Sequence, residues 1–327
     1  PCKQAETVVI DFTTEKSVGY IVSAATGTFN KGWASEWAFT TSKLTPATLK
    51  LKATDANGNA AGNMQGNNNE MYLHSGSDAA KTCNYQLSVA FPYQIAGYSF
   101  TYVDAGETHN KTITIGEKVY DVTTEKQTIV VNDLATTNTT FALKGENQKV
   151  IFTDFKVDIR INPSFVYADC YENITQWYTM KINPNGTTNN GFISYVSDNN
   201  GVYPSCSTNS VPTEGSTKAY AWAFVGNPTD GFKLYNRAAG GDLALYSSGS
   251  GNTTMAAEGT RFELTVSQQT SVDNNLFSLK TPNGNYLNKS SDRLGHYFQN
   301  DGGSTILLTP VDEDPDLAAI KLAALAT

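Results

Sequence analysis

The sequence predicts an all-β chain: a jelly-roll-like β-sandwich, then a β-trefoil, then a short helical tail. Three observations carry this. Short runs of alternating apolar residues follow one another along most of the chain, separated by Gly, Pro, Asn and Asp. Residues 177–308 repeat one strand pattern in three successive units. Beyond Val311 the chain turns acidic and then rich in alanine and leucine. The expected domains are a sandwich at 1–162, a trefoil at 165–311 and a linker or the start of a downstream region at 312–327.

Composition agrees. The 327 residues are enough for two domains, each with its own core. Hydrophobic residues make up 39% and charged residues 17%, with 26 glycines, a mix that suits short strands and polar turns. Net charge is −8, and the arginines are Arg160, Arg237, Arg261 and Arg293, with no basic cluster. A phosphate backbone would find no electrostatic footprint here, so nucleic acid is set aside. No apolar run approaches the roughly 20 residues of a membrane helix, so no transmembrane segment is expected.

In the first half the strand-like runs are 8–12 (V-V-I-D-F), 36–39, 48–51, 70–73, 85–89, 98–102, 111–115, 128–131, 140–143 and 150–159 (V-I-F-T-D-F-K-V-D-I). About ten such runs with turns between them and no amphipathic helix read as a sandwich. Its first and last runs are expected to pair. Residues 55–69, D-A-N-G-N-A-A-G-N-M-Q-G-N-N-N, are expected as a surface loop. Their oxygens suggest a structural calcium, although the spacing fits no calcium-loop pattern. Any other metal site stays unassigned. Trp37 alternates with Phe39 and reads as core. Trp33 is a candidate exposed ring for stacking on sugar. His74 and His109 lack a partner at fixed spacing and read as structural.

In the second half, each unit opens with a strand at 177–182, 232–235 or 276–280. A glycine and a second strand follow, at 191–195, 241–246 and 284–288, and a closing strand at 221–224, 261–264 and 305–308. Three units of about 45 to 55 residues fit a trefoil, whose closed barrel leaves no open sheet edge. The first unit carries an apparent insert at 197–218 that contains Cys206.

Cys2, Cys83, Cys170 and Cys206 are too widely spaced for a metal site. Their division between the halves favours Cys2–Cys83 and Cys170–Cys206 disulfides; other connectivities, or free thiols in a cytosolic protein, stay open. The start, Pro1-Cys2-Lys3-Gln4, has no signal peptide and reads as mature or trimmed. Cys2 as a lipid carrier is a further reading, though Pro1 is a poor residue before it. In the tail, Asp312-Glu-Asp-Pro-Asp316 is a helix-start signal ahead of helix-forming residues.

The run W-A-F-V-G-N-P-T-D-G-F-K-L-Y-N at 222–236, with G-N-Y-L-N at 284–288 and D-G-G-S-T at 301–305, resembles ricin-B-like trefoil modules. It is most similar to those attached to secreted glycan-degrading proteins of Bacteroides-type bacteria, such as sialidases and hexosaminidases. The resemblance spans residues 175–311. It implies carbohydrate binding, with the sandwich as a second non-catalytic module. No closing strand carries the Q-x-W that sugar-binding ricin-type repeats use, so the family's pocket residues do not transfer.

Residue chemistry points to the third unit as the best-stocked pocket. Tyr286 and Asn288 lie on its second strand, and His296 and Tyr297 stand near Asp301. A sugar site needs a stacking ring and an acid or amide facing hydroxyl groups. Asn236, Asp242 and Tyr246 form a weaker counterpart in the second unit. The alternative is that Asp301-Gly-Gly is simply a tight turn.

Catalytic signatures are missing: there is no H-E-x-x-H, G-x-S-x-G or P-loop. Asp11, Asp154 and Asp158 would make a jelly-roll glycoside hydrolase only if two carboxylates stood about 5 to 9.5 Å apart. The expected function is therefore a non-catalytic pair of carbohydrate-binding modules with no catalytic residue in this chain. It would be secreted or on a bacterial surface, monomeric, and would have glycans or glycoproteins as partners and no cofactor beyond the calcium. A structural or adhesive spacer is the alternative.

Overall fold

The structure, a computed structural model, describes residues 8–11, 21–23, 33–40, 48–67, 70–75, 81–105, 110–145, 149–211, 217–269 and 275–311. The tail at 312–327, His109 and Cys2, with the Cys2–Cys83 bridge and any lipid on Cys2, lie outside these. Among the described residues all regular structure longer than a single 3-10 turn is β, and the chain divides into two compact units between Asn162 and Pro163.

The first unit contains β1 (Val8–Asp11), β2 (Ile21–Ser23), β3 (Glu36–Thr40), β4 (Thr48–Asp55), β5 (Met64–Asn67), β6 (Glu70–His74) and β7 (Thr82–Ser88). It continues with β8 (Tyr93–Asp104), β9 (Thr112–Ile115), β10 (Lys118–Asp121), β11 (Gln127–Val131), β12 (Asn138–Lys144) and β13 (Lys149–Ile161). One antiparallel sheet runs β11-β8-β13-β6-β5, with β1 also on β13; the other runs β10-β9-β12-β7-β4-β3-β2. The expected pairing of first and last runs is present: Val8 faces Ile159 and Asp11 faces Lys156.

Period-two alternation builds the core. Along β7, Cys83, Tyr85 and Leu87 are buried while their neighbours point outward. Phe100, Phe141, Phe152 and Phe155 cluster with ring centroids 4.9–6.3 Å apart. Phe152 and Phe155 would face opposite sides of a regular strand. A bulge between Thr153 and Lys156, with Asp154 at φ 49°, turns both inward. Asp154 is exposed as a result, and Asp158 alternates with buried Val157 and Ile159 on the outer side. Trp37 is core, as expected.

The loop expected at 55–69 needs correcting. Its second part is β5, with Met64 buried and bonded through its backbone to Ala34. A strand of M-Q-G-N carries no β-branched residue; pairing with β6 and Ala34 supplies what propensity does not. Only the first part is a turn. There Asp55 accepts the backbone N–H of Asn57 and Asn59 and the Asn59 amide, which together hold its carboxyl below the usual range.

The second unit holds β14 (Tyr178–Ile182), β15 (Gly191–Asp198), β16 (Gly201–Thr208), β17 (Trp222–Asn227), β18 (Gly231–Asn236) and β19 (Ala244–Tyr246). Then come β20 (Thr254–Ala256), β21 (Glu263–Val266), β22 (Leu276–Lys280), β23 (Tyr286–Ser290), β24 (Arg293–Tyr297) and β25 (Ile306–Pro310). Pairing closes a ring: β14-β17-β18-β21-β22-β25 and back to β14, with β18 joined to β21 through the Phe232–Phe262 bridge. The hairpins β15–β16, β19–β20 and β23–β24 stand outside the ring, one per unit. This is the β-trefoil the repeats predict.

Phe224 lies at its centre, with ring centroids 5.2–6.1 Å from Phe165, Tyr178, Phe232 and Phe277. Trp222 is fully buried and donates its indole N–H to the Ile193 carbonyl at 2.8 Å. The side chain at the end of each first strand, or just past it, pins the next turn. Asn183 donates to the Thr188 carbonyl, Asn236 accepts from the Ala238 N–H, and Thr281 accepts from the Asn285 N–H.

Two further corrections fall here. The insert at 197–218 contains β16, the outer strand of the first hairpin. Cys170 and Cys206 are free thiols and not the expected bridge. Pairing holds Cys206 against the third unit, where its N–H donates to the Asp292 carbonyl and Ser205 pairs with Arg293. Its thiol is buried, and that burial pushes its pKa up to about 12. Cys170 instead precedes the 3-10 turn Tyr171–Asn173 and accepts the Asn173 N–H at its carbonyl.

Candidate functional site

The hairpin β23–β24 assembles most of the third-unit candidates. Tyr286 pairs directly with Tyr297, and Leu287 between Tyr286 and Asn288 is buried, so alternation sets Tyr286, Asn288 and Tyr297 on one outward face. Tyr297 is 36% exposed. Phe298, which the sequence reading did not single out, is 68% exposed, with its ring 4.7 Å from that of Tyr297. An aromatic pair directly before the polar run Gln299-Asn-Asp-Gly was the available signal.

Beside the rings is a polar cluster. Asp301 caps the 3-10 turn Gly302–Ser304 by accepting the Ser304 N–H at 3.1 Å. The Asn288 amide donates to Asp301 at 3.2 Å and to the Ser304 hydroxyl at 3.1 Å. A Cβ on Gly303 would stand 3.0 Å from the Asn288 amide nitrogen, so glycine lets the turn press against it. Asp301-Gly-Gly is therefore a tight turn and part of a polar cluster at once.

His296 does not join this face. Its Nδ1 lies 2.7 Å from the Gly251 carbonyl, and its Nε2 is hydrogen-bonded to the Ser247 hydroxyl. Both nitrogens serve the neighbouring unit, because His296 pairs with buried Leu287 and shares its side of the hairpin.

In the second unit the expected trio is not assembled. Asn236 is 0% exposed; its amide donates to the Ala219 carbonyl at 2.8 Å, and its oxygen takes the Ala238 N–H. Asp242 is exposed on the following turn, and Tyr246 is half-buried on β19. The buried position follows from Asn236 ending a barrel strand.

On the sandwich, Trp33 is 43% exposed. Its ring meets His74 edge to face, with centroids 4.4 Å apart and planes at 88°. Lys149 Nζ lies 5.9 Å from the Trp33 centroid and 5.6 Å from that of Tyr72, whose hydroxyl donates to Glu70 at 2.7 Å. Among the described residues no group of three or more His, Cys, Asp or Glu could hold a metal ion, and no helix is long and apolar enough to cross a membrane.

No protein-family model and no curated protein matches the sequence. Among solved structures the chain is similar to SeviL bound to asialo-GM1 saccharide, at 13% identity and a TM-score of 0.30, covering 42% of this chain and 98% of that one. It is also similar to a structure described as CBM4 structure and function, at 14% identity and a TM-score of 0.22, covering 34% of this chain and 86% of that one.

Proposed function

We propose that this chain is a non-catalytic pair of carbohydrate-binding modules, a β-sandwich and a ricin-like β-trefoil, that works as a monomer outside the cell on glycans or glycoproteins. The observation that supports this is the outward face of β23–β24, where Tyr297 and Phe298 stand exposed beside Asn288 and Asp301. Exposed rings stack on the apolar face of a sugar, and an amide and carboxylate alongside can meet its hydroxyl groups. Each such contact is modest, so affinity would be weak for one site and stronger for clustered glycans.

A glycan array with the whole chain tests this, with Tyr297→Ala and Phe298→Ala in parallel. Both side chains are exposed, so the variants keep their fold and are expected to lose binding by about tenfold. A blank array with folded protein would sink the reading. The adhesive or spacer alternative would then lead, favoured by the way Asn288 and Asp301 already satisfy each other.

A further inference from the structure

The outer face of the β5–β6 end of the sandwich carries a second arrangement that the trefoil does not explain. Met71, Leu73, Val150 and Phe152 point into the core, so Tyr72, His74, Lys149 and Ile151 point out. In register, Lys149 faces His74 and Ile151 faces Tyr72. His74 is nearly buried although it is on the outward side, because the Trp33 ring stands over it. The backbone next to Trp33 is tied to β5 by paired bonds between Ala34 and Met64, 2.8 and 3.0 Å long. The indole is thus held in place and still open, which lowers the ordering cost of stacking a ligand on it.

Lys149 adds a charge beside the ring. Its ammonium approaches both the Trp33 and Tyr72 rings, and among the described residues it is in no ion pair. In a chain of net charge −8, this puts a cation with no carboxylate partner among the described residues beside an exposed stacking ring. A sugar lying on Trp33 would bring its ring substituents toward that cation, and a carboxylate or sulfate there gains a charge-assisted hydrogen bond that a neutral sugar cannot form.

We propose that Trp33, Tyr72 and Lys149 form a second glycan subsite, selective for a sugar ring bearing a carboxylate or sulfate group. This rests on the reading of the chain as glycan-binding and adds the ligand class and the module. The test is titration of the whole chain, followed by tryptophan fluorescence and calorimetry, with sialyllactose, an oligogalacturonate and a sulfated chondroitin oligosaccharide. Lactose and a neutral galactose oligomer are the controls. Acidic ligands are expected to bind at least about tenfold tighter than neutral ones, a difference that shrinks as salt rises. Lys149→Gln should remove that preference, Trp33→Ala should bring the acidic ligands down to the affinity of the neutral ones, and Val119→Ala, at an exposed position on β10 of the other sheet, should leave the preference unchanged. Lys149→Gln keeps the test valid if Trp33→Ala fails to fold. Equal affinity for acidic and neutral ligands, or a preference untouched by Lys149→Gln, overturns the proposal. Neutral binding that Tyr297→Ala removes, with no acidic preference, would overturn this subsite and leave the trefoil reading standing. No binding of either ligand class by folded protein would overturn both.

Discussion

The Ser247 hydroxyl of the second trefoil unit is hydrogen-bonded to Nε2 of His296 in the third, and Nδ1 of the same ring lies 2.7 Å from the Gly251 carbonyl. A carbonyl only accepts, so Nδ1 carries the hydrogen, and in the neutral ring that leaves Nε2 to accept from the serine hydroxyl. The serine oxygen in turn accepts the Gly249 N–H. This chain of bonds joins two hairpins whose backbones also meet at the Asn252–Gly295 bridge and through the Thr253 N–H to the Leu294 carbonyl. His296→Ala should lower stability by about 1 to 3 kcal/mol in urea denaturation and leave untouched the glycan binding proposed at Tyr297. His296→Asn, with an amide N–H near the Nδ1 position, should recover part of the loss.

Glycine requirements differ along the second unit. A Cβ on Gly226, at φ 138°, would stand 2.3 Å from the Gly231 carbonyl oxygen, whereas one on Gly201, at φ 104°, would meet nothing within 4 Å. Gly226→Ala should therefore cost about 3 kcal/mol or more, and Gly201→Ala about 1 to 2 kcal/mol from backbone strain alone. Thermal melts of the two variants would separate collision from strain.

Asn236 and Asp242 were paired by sequence but differ in role. Asn236→Ala removes both hydrogen bonds of a fully buried side chain and should cost about 1 to 3 kcal/mol. Asp242→Ala, at an exposed position, should stay within about 0.5 kcal/mol of the parent. Equal losses would contradict this assignment.

Alkali should weaken both units. Burial raises the Cys206 thiol to about 12 from an ordinary 9.0, and raises the Tyr98 and Tyr178 hydroxyls to about 12 from 10.0. Each group is neutral when protonated and ionises more readily once unfolded. The stability it contributes is therefore complete below the unfolded value and is lost as pH climbs toward about 12. Denaturation midpoints should hold to about pH 9 and then fall, first through Cys206 and from about pH 10 through the tyrosines. Native Cys206 should resist alkylation at pH 8 and react once the chain is unfolded.

Much of the fold was legible because strand alternation and repetition are properties of sequence. The opening strands at 178, 231 and 276 and the closing strands at 222, 263 and 306 lie within a few residues of where the apolar runs place them. Shorter strands were not legible. β20 is three residues, too few to show a period, and β5 owes its form to its neighbours. The site was half legible. Tyr286, Asn288, Tyr297 and Asp301 come together because they share one hairpin and the 3-10 turn that follows it. His296 and Asn236 do not, because whether a polar side chain faces solvent or another unit depends on packing that spacing does not encode.

Closure of the trefoil ring has a consequence for how the chain is made. The pairs that shut it, Ile182 with Ile306 and Tyr178 with Pro310, join strands that lie at opposite ends of this unit's sequence. During synthesis β14 must wait beside a growing, edge-exposed sheet until β25 has left the ribosome, and only then does the barrel gain its last seam. The sandwich faces the same delay, with β1 awaiting β13. Each unit is thus fastened by its own latest strand. Nascent chains arrested before Ile306 should already hold a protease-resistant first unit, while the second stays open to cleavage.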